Sequence, residues 1–201
     1  MTRKHVFYLF IYLCLCNVNC RPPLHTPKPT GYFVIDTPQK HEYTKFDLVD
    51  FPYTFEYPNY CLIQKDSLDY KKESTETNYW INLVFPDLNG MINITYKNVS
   101  KEQPLDKLNA EAFEMSFFHH EKASYIEHSD FWNEFGNKCS IYTLGGNVAT
   151  RYQFTATDST KHFLRGALYF NVTPNFDSLK PASEFILQDI KHILATLKWK
   201  N

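Results

Sequence analysis

Two runs of aromatic and β-branched residues, Ala149 to Thr157 and His162 to Val172, stand on either side of the polar segment Asp158-Ser159-Thr160-Lys161. That arrangement specifies a β-hairpin. In the first run Tyr152, Phe154 and Ala156 fall on one face, and Arg151, Gln153, Thr155 and Thr157 on the other, as in a half-buried antiparallel strand. In the second, Phe163, Arg165, Ala167, Tyr169 and Asn171 share one face, and Leu164, Gly166, Leu168, Phe170 and Val172 share the opposite one. This pattern predicts a central strand covered on both sides. Gly145-Gly146 and Gly166 mark places where a turn or a close backbone approach excludes a side chain.

The remaining chain supplies more strands and two helices. Tyr79 to Phe85 and Met91 to Tyr96, joined through Pro86-Asp87-Leu88-Asn89-Gly90, predict a second hairpin, because Asn-Gly tolerates positive φ. Short strands are expected at Gly31 to Ile35, within Phe51 to Ile63 (one strand bent at Tyr57-Pro58, or two), and at Lys138 to Leu144. Thr37 to Asp50 reads as polar and irregular, Asp66 to Asn78 as a charged surface loop, and Ser124 to Asn137 as mixed. Between Pro104 and Lys122 the apolar period lengthens to three and four, with Leu105, Leu108, Ala112 and Met115 marking a helix. The last helix is expected to start at an Asp177 or Ser178 cap, to tolerate Pro181, and to carry Ile186, Ile190, Ile193, Leu194 and Leu197 in one stripe. Lys191, Lys198 and Lys200 then suit the dipole at its end. Together these elements predict an α+β domain, a mostly antiparallel sheet covered by helices, spanning 31–201.

The first thirty residues are of another kind. Arg3, Lys4 and His5, an apolar run from Val6 to Cys16 and a polar stretch ending at Cys20 have the tripartite layout of an export signal, and the apolar run is too short to cross a bilayer comfortably. Residues 21–30, RPPLHTPKPT, hold four prolines and form a stiff extended tether. Of the five cysteines three crowd the leader, where a lipid-acceptor role explains at least one; the spacing from Pro27-Lys28-Pro29 favours Cys20, with Cys16 second. Cys61 and Cys139 lie in apolar strand-like runs and read as two buried thiols rather than a disulfide.

Chemistry-bearing patterns are sparse. A net charge of −1 and the lack of a basic run leave no footprint for nucleic acid. No Gly-x-Ser-x-Gly, His-Glu-x-x-His, phosphate-loop or dinucleotide motif occurs. His119, His120 and Glu121 with His128 contain metal-ligand types, but adjacent helical histidines diverge by about 100° and read as a solvated face. Asp158, Ser159 and His162 contain the residue types of a hydrolase triad, yet their crowding on one turn is better explained by turn chemistry. No metal, cofactor or catalytic residue is assigned.

Arg151 and Arg165 project from opposed strands, where arginine is costly unless paired. If the turn centres between Ser159 and Thr160, Arg165 lies near Phe154 and shares its face with Tyr152 and Tyr169. Arg151, Gln153, Arg165 and Asn147 are therefore the candidate interaction surface, against the plainer reading of one structural ion pair. The sequons at Asn93, Asn98 and Asn171 would matter only if the chain were a eukaryotic secreted protein.

The segments GGNVATRYQF, TDSTKHFLRGALYFNV, PNFDSLKP and TLKWK, with TPKPTGYFVID, PYTFEYPNY and WINLVFPDLNGMINITYK before them, together resemble the gliding motility lipoprotein GldD family of Bacteroidetes. The resemblance spans nearly all of the chain after the leader. It implies a non-enzymatic lipoprotein of the cell envelope, lipid-anchored at Cys20 and facing the periplasm, that contacts other gliding motility and type IX secretion proteins. The order of hairpin, hairpin and terminal helix also looks like the PsbP-type α/β/α sandwich. Two other functions stay open: a periplasmic hydrolase, and a small-ligand-binding lipoprotein with an aromatic pocket among Tyr53, Phe55, Tyr57 and Trp80.

Overall fold

A computed structural model describes residues 31, 35–38, 40–65, 78–117 and 122–200. The leader with Cys16 and Cys20, the proline tether, the middle of the expected first strand, nearly all of the Asp66 to Asn78 loop, and His119, His120 and Glu121 lie outside the described residues.

The hairpin forms as the alternation dictates. Strands β8 (Thr150–Thr157) and β9 (His162–Phe170) pair antiparallel at the centre of a seven-stranded sheet. β9 pairs on its other side with β5 (Gly90–Asn98), which pairs with β4 (Ile81–Phe85), and β4 with β3 (Leu62–Lys65). Beyond β8 come β7 (Lys138–Gly145) and then β6 (Tyr125–Trp132), which forms the far edge. The second hairpin turns through a 3₁₀ segment, Pro86–Leu88, with Asn89 left-handed at φ 48°. A smaller sheet joins β1 (Tyr43–Phe46), β2 (Tyr53–Pro58) and β10 (Lys198–Trp199). Phe51 to Ile63 is thus two strands in different sheets.

Helix α1 (Leu105–Phe117) and helix α2 (Phe176–Thr196) cover opposite faces of the large sheet. On the α2 side, Ile81, Leu83, Phe85, Ile92, Ile94, Phe154, Leu164 and Leu168 pack against Ile186, Ile190, Ile193 and Leu194, and Phe46, Tyr53 and Phe55 of the small sheet complete that core. On the other side Leu108 and Ala112 of α1 close over Phe163. The fold is therefore α+β, a mostly antiparallel sheet with helices on both faces. Gly166 is required by this packing: the Phe154 ring lies where its Cβ would be.

Several expectations are corrected. Arg165 stands opposite Thr155, not Phe154. Asp158 draws the backbone N–H groups of Thr160, Lys161 and His162 onto its carboxylate, and Ser159 adopts φ 66°, so the turn is one residue out of the expected register. A one-residue slip moves every side chain to the opposite face. The α2 cap is Asn175, whose side chain accepts from the Ser178 N–H at 3.2 Å; neither Asp177 nor Ser178 caps it. The helix ends at Thr196, so Lys198 pairs in β10 and no basic residue occupies the last turn. β1 lies inside the stretch expected to be irregular, and β6 inside the mixed one. Both are short or edge strands with polar residues on both sides, so they lack the apolar alternation of a half-buried strand.

Candidate functional site

The α1 face of the large sheet is built differently from the α2 face. One thirteen-residue helix crosses its centre, while the strand residues on either side are mostly polar. The helix forms because Leu105, Leu108 and Ala112 recur on one side after Pro104, whose carbonyl accepts the Leu108 N–H. Its last turn brings Ser116 over β8. The Ser116 hydroxyl donates to Ala112 O at 2.9 Å and approaches Gln153 Oε1 at 3.3 Å. Gln153 Oε1 also accepts from Arg165 Nη2 at 2.5 Å.

The opposed partners Thr155 and Arg165 share this face with Gln153, which the register places opposite Ala167. Gln153 is 1% exposed, and its Nε2 is buried without a partner. No carboxylate among the described residues lies within ion-pair distance of Arg165. Burial lowers the Arg165 pKa, and the neighbouring Tyr169 works against that shift. The guanidinium is held by the Gln153 amide, which Ser116 also approaches, and by Tyr169.

Towards the β6 edge the same face forms a groove of about 280 Å³, walled by Leu105, Asn109 and Ala112. Its floor carries Thr155, Thr157, Lys138, Ser140, Tyr142, His128 and Asp130. Asp130 organises it: Ser140 Oγ donates to Oδ1 at 2.6 Å, His128 Nε2 lies 2.8 Å from Oδ1, and Lys138 Nζ lies 3.2 Å from Oδ2. Partial burial works to raise the Asp130 pKa, but Ser140, Lys138 and His128 outweigh it and hold the carboxyl below its ordinary value. The His128 ring stacks on Tyr142 at 4.5 Å.

Arg151 and Asn147 belong elsewhere, so the four candidates do not form one surface. The Asn147 side-chain oxygen accepts the Phe176 N–H at 2.8 Å, at the start of α2. Arg151 lies 4.3 Å from the Phe176 ring centre, donates from Nε to the Tyr152 hydroxyl at 3.1 Å, and approaches Glu184 at 3.8 Å. The plainer reading, a structural ion pair, describes Arg151. The register irregularity between Thr150 and Gln153 separates it from the regular alternation of the strand.

Asp158 spends Oδ1 on three backbone N–H groups, each at 2.9 Å, while His162 Nδ1 lies 2.7 Å from the Tyr96 hydroxyl and its ring stacks on Trp199. Turn geometry thus accounts for Asp158 and ring packing for His162. The expected aromatic pocket is filled. Tyr53 and Phe55 are core residues at 0% and 1% exposure, Tyr57 and Trp80 pack against that core, and Trp80 Nε1 donates to Tyr96 O. Their neighbours Phe46, Phe51 and Tyr96 occupy the space a ligand would take. Among the described residues no group of three or more His, Cys, Asp or Glu is placed to hold a metal. Cys61 and Cys139 are free, buried thiols, and burial pushes both up to about 12.

One cluster was missed altogether. Asp189, 0% exposed on α2, accepts from the Tyr60 hydroxyl at 2.5 Å and the Tyr43 hydroxyl at 3.1 Å, and lies 2.7 Å from His41 Nδ1. His192, stacked on Tyr43 at 3.6 Å, bonds Glu56. The cluster ties residues 41–43 to the terminal helix. The available signal was Asp189 itself, one turn from Ile186 and from Ile193 on a stripe that should be wholly apolar.

A comparison with curated protein sequences finds no match. Among solved structures the chain is similar to cyanobacterial PsbP (CyanoP) from Synechocystis sp. PCC 6803, at 12% identity and a TM-score of 0.46, over 89% of this chain and 99% of that one. Among the described residues no helix is long and apolar enough to cross a membrane. The family model for gliding motility lipoprotein GldD matches residues 23–199. The chain therefore belongs to the gliding motility lipoprotein GldD family, and with that membership comes a role in gliding motility as a membrane-anchored lipoprotein of the cell envelope.

Proposed function

We propose that the chain serves gliding motility, and the type IX secretion associated with it, by protein contact rather than by catalysis. Lipid on Cys20 holds it to the membrane, residues 21–30 set the domain off from the surface, and the polar α1 face of the large sheet receives other motility and secretion components on the periplasmic side. The observation that carries this reading is the family match over residues 23–199. It is supported by the contrast between the two sheet faces: one is filled by core, while the other carries Arg165, with no carboxylate partner among the described residues, and the Asp130 groove. A tether of ten residues in extended form reaches roughly 30 Å, enough to present that face to a neighbour.

The test is affinity isolation from envelope membranes of the wild-type chain and of Cys20→Ala. The wild type is expected to bring down motility or secretion components and to sediment with membranes, and Cys20→Ala to lose both properties. A variant that stays membrane-bound and keeps its partners contradicts the anchoring half of the proposal. A wild type that brings down none of these components contradicts the contact half.

A further inference from the structure

Among the described residues strand β6 pairs with β7 alone; it is eight residues long and exposed at six of its positions. Natural edge strands are usually blunted by charged side chains, above all lysine, by proline or by a bulge, and β6 has of these only the carboxylates Glu127 and Asp130, on opposite faces. β6, reading YIEHSDFW, has no Lys, Pro or Gly, and its pairing with β7 is regular from Tyr125 to Trp132. The opposite edge, β3, is only four residues long. Among the described residues β6 is therefore the longer open edge of the large sheet.

The alternation of the ladder says which backbone groups face outward. Asn133 N–H donates to Asn137 O across the β6–β7 turn. In an antiparallel ladder, residues at odd steps from Asn133 then direct N–H and C=O away from β7. These are Ile126, His128, Asp130 and Trp132. A second strand can bond this edge only by placing the same kind of residue opposite them.

From this geometry we infer that β6 pairs antiparallel with β6 of a second copy of this chain, about a two-fold axis at Ser129, joining two seven-stranded sheets edge to edge. In that register His128 faces Asp130 of the other copy, next to the contact these two residues already make within each chain, and Ile126 faces Trp132, each pair occurring twice. On the other face Glu127 lies opposite Phe131 and Ser129 opposite itself. Hydrogen-bonding polar pairs, here an imidazole and a carboxylate, and aromatic–β-branched neighbours are favourable across strands, each contributing a few tenths of a kcal/mol or more.

Shifting the axis by one residue either way spoils the match. An axis at His128 opposes His128 to itself and Ile126 to Asp130. An axis at Asp130 opposes the two Asp130 carboxylates. The Ser129 register alone of these three sets His128 against Asp130, and it forms about eight backbone bonds. A strand-edge contact is small by the standard of stable interfaces. Confinement of two anchored copies to one membrane raises their effective concentration and favours it.

The test uses the full chain in its own envelope, with Ser129→Cys. On the axis, the two Cβ atoms of a non-hydrogen-bonded pair lie about 4.5–5.5 Å apart, near disulfide reach. Glu127→Cys is the control, because its counterpart on the other copy is displaced by four residues, about 13 Å. Mild oxidation is expected to give a disulfide-linked dimer from Ser129→Cys and none from Glu127→Cys or from the wild type, whose Cys61 and Cys139 are buried. Adding Asp130→Lys should cut cross-linking about tenfold, and adding His128→Asp to that should restore it. No dimer from Ser129→Cys, equal dimer from both positions, or indifference to the charge exchange would each overturn the proposal. Cross-linking is read without reference to motility, so its failure leaves the contact function standing.

Discussion

Removing the Asp189 carboxylate is the sharpest perturbation of the architecture. Asp189 is fully buried and holds Tyr60, Tyr43 and His41. Breaking a buried charged cluster from one side costs about 3–5 kcal/mol, because the remaining donors lose their acceptor. His41 is 22% exposed and can turn to water, which brings the expected cost of Asp189→Ala to about 3 kcal/mol. For a domain of this size 1 kcal/mol is worth about 2–4 °C, so Tm should fall by about 6–12 °C. Tyr60→Phe removes one of the three bonds and should cost about half as much. Thermal melts followed by circular dichroism, with urea unfolding to check an unchanged m-value, measure both. Hydrogen exchange should rise first in residues 40–46, which the cluster ties to α2. A fall of less than about 2 °C for Asp189→Ala would refute the argument that this cluster fastens the N-terminal segment.

Gly166→Ala should destabilise by about 1–3 kcal/mol, since a Cβ there meets the Phe154 ring in a closed core; an unchanged urea midpoint contradicts this. Asn175→Ala should cost about 1 kcal/mol by freeing the Ser178 N–H, read from the same unfolding curves, and no loss would deny the cap. Burial holds the Cys61 and Cys139 thiols up to about 12. The native chain therefore keeps protons that the unfolded chain gives up near pH 8.5, so this contribution is complete below that pH and is lost as pH rises from about 8.5 towards 12. A thiol reagent at pH 8 should react slowly with folded protein and quickly in urea; fast reaction of the folded chain contradicts it.

The central architecture was legible because apolar alternation reports burial. The β8–β9 and β4–β5 hairpins, the Asn-Gly turn and the Ile186 to Leu197 stripe all reach the core and appear in the structure. β1 and β6 were not legible, since an exposed strand has no apolar face to announce it. The candidate site fared in the same way. Arg165 and Gln153 do meet, but their face was misjudged because Asp158 and Ser159 set the turn one residue out of register. Asn147 was noticed for its polarity, and its role as acceptor for the Phe176 N–H depends on a contact across 29 positions. The Asp189 cluster joins residues 129–148 positions apart, and no local spacing encodes such a meeting.

The contact account is tested most directly by photo-cross-linking in gliding cells, with a photoreactive residue at Lys138 beside the Asp130 groove or at Lys180 on the exposed side of α2. The account predicts discrete adducts with other gliding motility or type IX secretion proteins from position 138 and none from position 180. Adducts from neither position, together with turnover of a cell-wall substrate by the purified chain, would contradict it.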